Sequence, residues 1–369
     1  MVAWCYEHDV PLVPRGGGSG LAGGAVPVDE GAVVLSLERL ARVRSFEPEV
    51  WRMNPQAGVL TTHVQRLARE NGLWFPPDPG AAEQSQIGGN VATNAGGPHA
   101  FRYGQTGDWV TGVEAVVAPG ELVRVGGPVR KDVAGYDLTH LMVGSEGTLG
   151  VITAVWLRLI PAPAHRRVVV DFFDSLEAGC EAVLEVIGSG LRPAALEFLD
   201  GRSFAAAAVG YPGDAPNDPR FVLIAEYLDD AAGGSLDPAA LWRWRDTVHG
   251  AVTSLRGGKL SEDVAVPVEL LAEALRRLTE IGAAHGLETC AWGHAGDGNI
   301  HATFLIAPDE AEAAERAAQD VFTMALELGG TVTGEHGIGC LKRGYAGPLD
   351  ARIKTALDPK GLLNPGKKS

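Results

Sequence analysis

The chain has 369 residues, enough for two domains of ordinary size, with 46% hydrophobic and 21% charged residues, the balance of a globular protein. Acidic residues outnumber basic ones 46 to 31, a formal net charge of −15 that repels nucleic acid and anionic lipid surfaces. A carboxylate substrate would therefore need a local cationic or metal centre to receive it.

Residues 9–14 read as a short strand and 31–36 as another. Between them, Gly18-Ser19-Gly20-Leu21-Ala22-Gly23 matches the GxGxxG dinucleotide fingerprint. A Rossmann turn needs a helix opening at the third glycine, and Gly24-Ala25-Val26-Pro27 followed by a strand supplies none. Read more broadly, Pro14-Arg15-Gly16-Gly17-Gly18-Ser19-Gly20 offers several backbone N–H groups with no side chain in the way, an anion nest suited to a diphosphate. Taken alone, a plain surface loop explains it equally well. Residues 60–71 read as a helix closed by Gly72. Residues 86–97 form a second glycine cluster, QIGGNVATNAGG, in which Asn90, Thr93 and Asn94 could hydrogen-bond a polar heterocycle. Residues 112–118 and 150–159 are β-branched runs suited to strands, and a third cluster, GSEGTLG over 144–150, precedes the second of them. Three separated clusters in the first 150 residues suit an elongated ligand, a dinucleotide, threaded through one domain.

Pro161-Ala162-Pro163 marks a linker. Beyond it come a strand at 167–172 and helices at 175–187, 267–286 and 309–329, with strands at 287–292 and 300–306 between the last two helices. Residues 209–218 and 231–235 read as loops. The pattern implies an antiparallel sheet covered by helices. Residues 296–299 carry a hairpin-turn signal that would bring His294 and His301 toward one another, the start of a metal site lacking a third ligand. The segment 333–339, TGEHGIG, supplies Glu335 and, beside it, His336. In an extended segment neighbours point to opposite sides, so one could bind metal while the other faces substrate. A bare histidine pair is more often a satisfied core or turn feature; the glycine-bracketed setting of both motifs favours the metal. Arg256, Lys259 and Lys342 are cationic candidates for a substrate carboxylate, although solvated surface charge is the commoner reading of any one of them.

Cys5, Cys180, Cys290 and Cys340 form no CxxC pair, which speaks against an iron–sulfur or cysteine zinc site and for free thiols in a reducing compartment. Residues 1–10 carry Glu7, His8 and Asp9 and no apolar run, so no signal peptide is expected there. No stretch approaches the roughly 20 apolar residues of a transmembrane helix. The expectation is a cytoplasmic protein, with peripheral attachment through a membrane-bound partner left open.

PRGGGSGLAGG, PPDPGAAEQSQIGGNVATNAGG and KDVAGYDLTHLMVGSEGTLGVIT resemble, in order and spacing, the FAD domain of the vanillyl-alcohol-oxidase (PCMH-type) flavoproteins. Within them, the chain looks most like the group formed by the D-type subunit of glycolate oxidase and the D-lactate dehydrogenases. The resemblance covers nearly the whole chain. It implies an α+β fold: a PCMH-type FAD-binding domain over 1–163, an α+β substrate (cap) domain with an antiparallel sheet over 164–345, and a C-terminal segment, 346–369, returning to the FAD domain. The first domain is expected to be N-terminally shortened, since relatives begin with a further β-α-β unit. FAD would be held through Pro14, Arg15, Gly16, Gly17, Gly18, Ser19, Gly20, Pro77, Gly88, Gly89, Asn90, Thr93, Asn94, Gly97, Glu146, Gly150 and Ile152, with Asn364 near the flavin. Relatives with a tethered flavin have a histidine where Ser19 stands, so the FAD is expected to be non-covalent. The resemblance also assigns His294, His301 and Glu335 to a divalent metal (zinc, manganese or iron) and His336 as the base. The implied reaction oxidises a small 2-hydroxy acid of the D-lactate, glycolate or D-2-hydroxyglutarate type to the 2-oxo acid, with hydride passing to flavin. The electrons would go on to a quinone, a cytochrome, an electron-transfer flavoprotein or an iron–sulfur partner subunit. Two alternatives stand beside it: a non-redox enzyme like alkyl-glycerone-phosphate synthase, and a catalytically incomplete flavin-binding subunit.

Overall fold

The structure, a computed structural model, describes residues 1–228 and 236–368, so the loop expected at 231–235 lies outside the described residues. The chain divides into two compact units: Met1–Gly97 with Tyr103–Ala162 and Glu335–Ser369, and Pro98–Arg102 with Pro163–Gly334.

In the first unit, α1 (Val2–Glu7) leads into β1 (Leu12–Arg15), which pairs in parallel with β2 (Val33–Ser36). Strands β3 (Val43–Glu47), β4 (Arg52–Pro55), β6 (Val110–Val117), β7 (Glu121–Gly126) and β8 (Val151–Arg158) form an antiparallel sheet in the order β3-β4-β8-β6-β7. A short pair, β5 (Leu73–Trp74) with β9 (Ile160–Pro161), closes over the end of α2 (Thr61–Glu70). The runs VTGVEAVV of β6 and VITAVWLR of β8 are strands because their branched side chains pack on a pleated surface. Met53, Val64, Phe75, Ile87, Val91, Val113, Val151 and Leu157 lie in one buried cluster between sheet and helices.

The second glycine cluster opens with a helix, α3 (Ile87–Thr93), where the sequence reading places only close-approach glycines. Glycine disfavours a helix interior by about 1 kcal/mol, yet Ile87 and Val91 are both fully buried and anchor the turn. A Cβ at Gly88 would stand 2.5 Å from the Ala57 methyl, so packing demands the residue that propensity argues against. The short helices α4 (Ala100–Tyr103) and α5 (Leu138–Met142) follow.

The second unit is an antiparallel sheet of six strands among the described residues, in the order β10-β12-β11-β14-β15-β13. The strands are β10 (Arg166–Phe173), β11 (Ala195–Asp200), β12 (Phe221–Leu228), β13 (Lys259–Ala265), β14 (Glu288–His294) and β15 (Asn299–Leu305). Helices α7 (Gly201–Ala207) and α8 (Pro238–Ser254) cover one face, where Leu199, Val222, Ile224 and Trp292 meet Phe204, Leu241, Trp244 and Val248. Helices α6 (Leu176–Gly188), α9 (Leu271–Ala284) and α10 (Ala311–Glu327) pack on the other; Gly179 of α6 sits against Phe221, and Gly282 of α9 against Thr289. The sequence reading assigns no helix to α8, whose start is fixed by Pro238 in the first turn and by the Asp237 carboxylate accepting from the Ala239 and Ala240 N–H groups. After the second unit the chain forms α11 (Pro348–Leu357), which clusters with the first. No helix among the described residues is long and apolar enough to cross a membrane.

Glu114 on β6 is buried and accepts from Arg44 (2.7 Å), Thr153 (2.8 Å) and Arg124 (2.9 Å), drawing β3, β8 and β7 toward one carboxylate. Its hydrogen bond with Arg44 leads in pulling the carboxyl down to about 2, against burial, which pushes it up. A depressed carboxyl contributes stability above its unfolded value and loses it as pH falls through the folded one. Glu114→Gln is therefore expected to lower stability by about 1–3 kcal/mol at neutral pH. The gap to the unmodified chain should narrow between pH 4.5 and about 2, as followed by denaturant titrations at several pH values.

Candidate active site

Within the first unit the three glycine clusters, far apart in sequence, meet. Gly16 lies against Gly89, where a Cβ would be 3.5 Å from the Gly89 Cα, and Gly147 lies against Pro14, where a Cβ would come within 2.4 Å of the ring. A Cβ at Gly17 would stand 2.0 Å from the Gln84 carbonyl oxygen. Gly20 and Gly89, in contrast, have no other atom within 4 Å of their Cβ positions. The loop is thus packed on its protein side and open on the other, a cradle of bare backbone. Residues 16–32 contain no helix before β2, in keeping with the rejection of a Rossmann turn.

Several polar residues expected to reach a ligand also hold this scaffold. The Asn90 amide donates to Thr61 (2.8 Å), and the Thr93 hydroxyl donates back to the Gly89 carbonyl (3.2 Å). Asn94, in the left-handed region at φ +54°, donates to Gln105 (2.7 Å) and accepts from the Gly107 N–H (2.8 Å). The Pro77 carbonyl accepts from Gln65, and Ile152 is a core residue of β8. Gly97, at φ +130°, is pressed against Asp78, and Gly150 against Met142. Arg15 is exposed at the end of β1. The Asn364 amide donates to the Glu146 carbonyl (2.6 Å) and the Gly24 carbonyl (2.9 Å). Three buried polar atoms of this unit, the Gln86 Oε1, the Ser145 Oγ and the Asn364 Oδ1, have no hydrogen-bond partner among the described residues. Buried acceptors and hydroxyls are seldom left so, and such unmet atoms at the edge of a glycine cradle fit a polar cofactor.

In the second unit, β14 and β15 form the histidine hairpin, its turn made by residues 295–297 and by Gly298 at φ +64°. The register pairs His294 with Asn299 and Trp292 with His301, so the two histidines are diagonal neighbours on the α8 face. Their ring centroids are 5.4 Å apart at 83°. His294 is buried, and its Nδ1 hydrogen-bonds the Glu197 carboxylate, which leaves Nε2 for another partner. Glu197, with no exposure, also accepts twice from Arg245 of α8, at 2.6 and 3.1 Å. Burial alone would push this carboxyl up; His294 and Arg245 outweigh it and hold it below the usual carboxylate range. A carboxylate behind a histidine is the arrangement that orients metal-binding imidazoles. Neither Glu197 nor Arg245 is singled out by the sequence reading. The signal for Glu197 was a carboxylate with apolar residues on both sides in the run ALEFLD of β11.

Asp263 of β13 is equally buried and accepts from Asn299, from the Thr333 hydroxyl (2.7 Å) and from the Gly334 N–H (3.0 Å). It thereby fixes the backbone that leads directly into Glu335. Residues 334–336 are bent rather than extended, and the His336 Nε2 comes to 3.6 Å from the Glu335 carboxylate. This corrects the expectation of side chains pointing to opposite sides, since that holds only for an extended backbone. The turn continues in the first unit with the Ile338 and Gly339 N–H groups donating to Glu146 and the Cys340 N–H to the Ala22 carbonyl.

The cationic candidates are all engaged. Arg256 pairs with Glu310 (3.1 Å). Lys259 lies 4.7 Å over the Trp292 ring and donates to the His249 carbonyl, with burial pulling its ammonium down to about 8. Lys342 is buried.

A cradle of bare backbone with orphaned polar atoms, joined in one chain to a helix-covered antiparallel sheet, is the build of a flavin-dependent oxidoreductase. Comparison with known proteins agrees. Residues 1–126 match the family described as FAD binding domain, and residues 162–232 and 223–368 match FAD linked oxidases, C-terminal domain. The chain belongs to the FAD-linked oxidase family. It is 36% identical to glycolate oxidase subunit GlcD of Bacillus subtilis, covering 98% of this chain and 84% of the relative. It is also 36% identical to a D-lactate dehydrogenase of Archaeoglobus fulgidus, over 100% of this chain and 88% of that one. Among solved structures, p-cresol methylhydroxylase shares the fold at a TM-score of 0.78 and 17% identity, covering 100% of this chain and 85% of the other. Alkyldihydroxyacetonephosphate synthase does so at 0.68 and 18%, covering 99% and 74%. These likenesses establish the PCMH-type α+β fold expected from the sequence.

Glu197→Gln would leave Arg245 as a buried charge facing a neutral amide and His294 without its carboxylate. The expected loss is about 3–5 kcal/mol. Pairing it with Arg245→Met should recover part of that loss in urea unfolding, because the double variant buries no lone charge.

Proposed function

We propose that this protein is an FAD-dependent dehydrogenase of small 2-hydroxy acids, D-lactate, glycolate or a longer homologue, yielding the 2-oxo acid. The observation that carries the reading is the buried Arg245–Glu197–His294 chain, which orients His294 beside His301 on one face of the sheet. In this reading residues 1–163 with the C-terminal segment form the FAD-binding domain, and residues 164–345 form the substrate domain. FAD, held non-covalently along the loop Pro14–Gly20, the second glycine cluster and the segment that follows Glu146 as far as Ile152, with Asn364 at its edge, would supply the two-electron acceptor.

His294, His301 and Glu335 are the proposed ligands of a divalent ion, zinc, manganese or iron, whose charge would receive the hydroxyl and carboxylate oxygens of the acid. Glu197 engages the Nδ1 of His294 and so orients the ring, with Nε2 as the proposed ligand atom. Asp263 holds the backbone at Thr333 and Gly334, just before Glu335. His336 is the proposed base and takes the proton of the substrate hydroxyl. A local cation also answers the difficulty that a chain of net charge −15 has in attracting an anion. Electrons would leave for a separate acceptor, a quinone, a cytochrome, an electron-transfer flavoprotein or an iron–sulfur protein; the Bacillus subtilis relative is itself named as a subunit.

An anaerobic visible spectrum taken before and after addition of D-lactate, glycolate or D-2-hydroxyglutarate tests this reading. Bleaching of a flavin band by one of these acids is the expected result. Treatment with a chelator, or His294→Ala, should slow the bleaching by at least about 100-fold with the flavin still bound. A flavin that none of the acids reduces would refute the assignment.

A further inference from the structure

The sequence resemblance counts Glu146 among the FAD contacts, but its surroundings describe another task. The residue is buried. Its backbone sits in the left-handed region at φ +51°, a conformation costly for a residue that carries a Cβ and persistent only where the surroundings impose it. Two bonds do so: its N–H donates to the Ala92 carbonyl of α3 (2.7 Å), and its carbonyl accepts from Asn364 (2.6 Å). The carboxylate is thereby aimed at the turn that follows Glu335 and His336. One oxygen accepts from the Ile338 N–H (2.9 Å) and the other from the Gly339 N–H (2.8 Å), with the Lys368 ammonium 3.8 Å away. Two glycines let it fit. A Cβ at Gly337 would stand 2.8 Å from one carboxylate oxygen, and one at Gly24 would stand 3.4 Å from the other. A carboxylate is also an acceptor only, and its charge would repel a cofactor diphosphate rather than bind it.

From this geometry we propose that Glu146 is a positioning residue. It fixes the Gly337–Gly339 backbone and so holds His336 in place, while making no contribution of its own to cofactor affinity. The proposal rests on the reading of His336 as the base.

The test compares the unmodified protein with Glu146→Gln, which keeps the size but offers one acceptor oxygen where two N–H groups need partners. Three quantities are measured: amide hydrogen exchange at Ile338 and Gly339 in the FAD-loaded protein, FAD affinity by fluorescence titration, and the rate of anaerobic flavin reduction by the acid that bleaches the unmodified protein. The expected result is exchange at both amides at least tenfold faster, FAD affinity within twofold, and reduction at least tenfold slower. Gly337→Ala, which crowds the same carboxylate without altering it, should reproduce all three changes, and it serves if Glu146→Gln does not fold. A tenfold loss of FAD affinity with unchanged exchange would make Glu146 a cofactor ligand and overturn the proposal. So would unchanged reduction despite faster exchange. If no 2-hydroxy acid reduces the unmodified protein, the dehydrogenase reading fails on that measurement alone. The exchange and affinity data then still decide whether Glu146 fixes the turn.

Discussion

A carboxylate taken out of water must be met by donors from the protein itself, and this chain is organised around several that are. Glu197 and Glu226 have no exposure, and each is bound by one histidine and one arginine: His294 and Arg245 in the first case, His99 and Arg166 in the second. Asp263 is met by an amide, a hydroxyl and a backbone N–H. Desolvating each group costs several kcal/mol, which only directed partners offset. The donors therefore have to be in place, and the strands and helices that carry them are held in register by the same requirement. Arg245 ties α8 to β11 in this way, and His99 ties the short segment Pro98–Arg102 to β12.

The two units use opposite means to build a surface for chemistry. In the first, side chains are withdrawn: glycines at three places let backbones approach until Gly16 faces Gly89 and Gly147 faces Pro14. What is left is a lining of N–H and C=O groups, suited to a large ligand recognised along its length. In the second, side chains are concentrated on one face of the sheet, and their charges are held by others behind them. One surface follows from what is missing and the other from what is paired.

Much of this could be read from the sequence. Glycine spacing marked the cradle, because only glycine tolerates such approaches, and the hairpin signal at residues 296–299 marked where His294 and His301 would return toward each other. Strands β6 and β8 and helices α9 and α10 announced themselves through branched runs and amphipathic periods. The remainder depended on long-range contacts that local patterns do not encode. Helix α3 carries two glycines and forms because Ile87 and Val91 are buried. Helix α8 mixes tryptophans with polar residues and takes its orientation from the sheet it covers. Asn90 and Asn94 read as candidate ligand contacts because amides beside glycines often are; the partners they take within the protein, Thr61, Gln105 and Gly107, could not be read from the sequence. The backbone at Thr333 and Gly334 is held by Asp263, some seventy positions earlier in the chain.

The end of the described chain is stitched into its beginning. Leu12 bridges Leu363 in parallel, its N–H donating to the Leu362 carbonyl (2.8 Å) and its carbonyl accepting from the Asn364 N–H (2.7 Å). Lys354 reinforces the join by donating to the Thr148 carbonyl (2.8 Å), the Leu363 carbonyl (2.6 Å) and Asp358 (2.5 Å). During synthesis, then, the glycine-rich strand and loop emerge some 350 residues before the neighbour that pairs with Leu12 on that side. The sheet of residues 163–334 has all its strands in one continuous stretch and can finish folding in the meantime. The cradle strand is thereby completed only after the sheet that follows it in sequence, when the segment around Leu363 joins it.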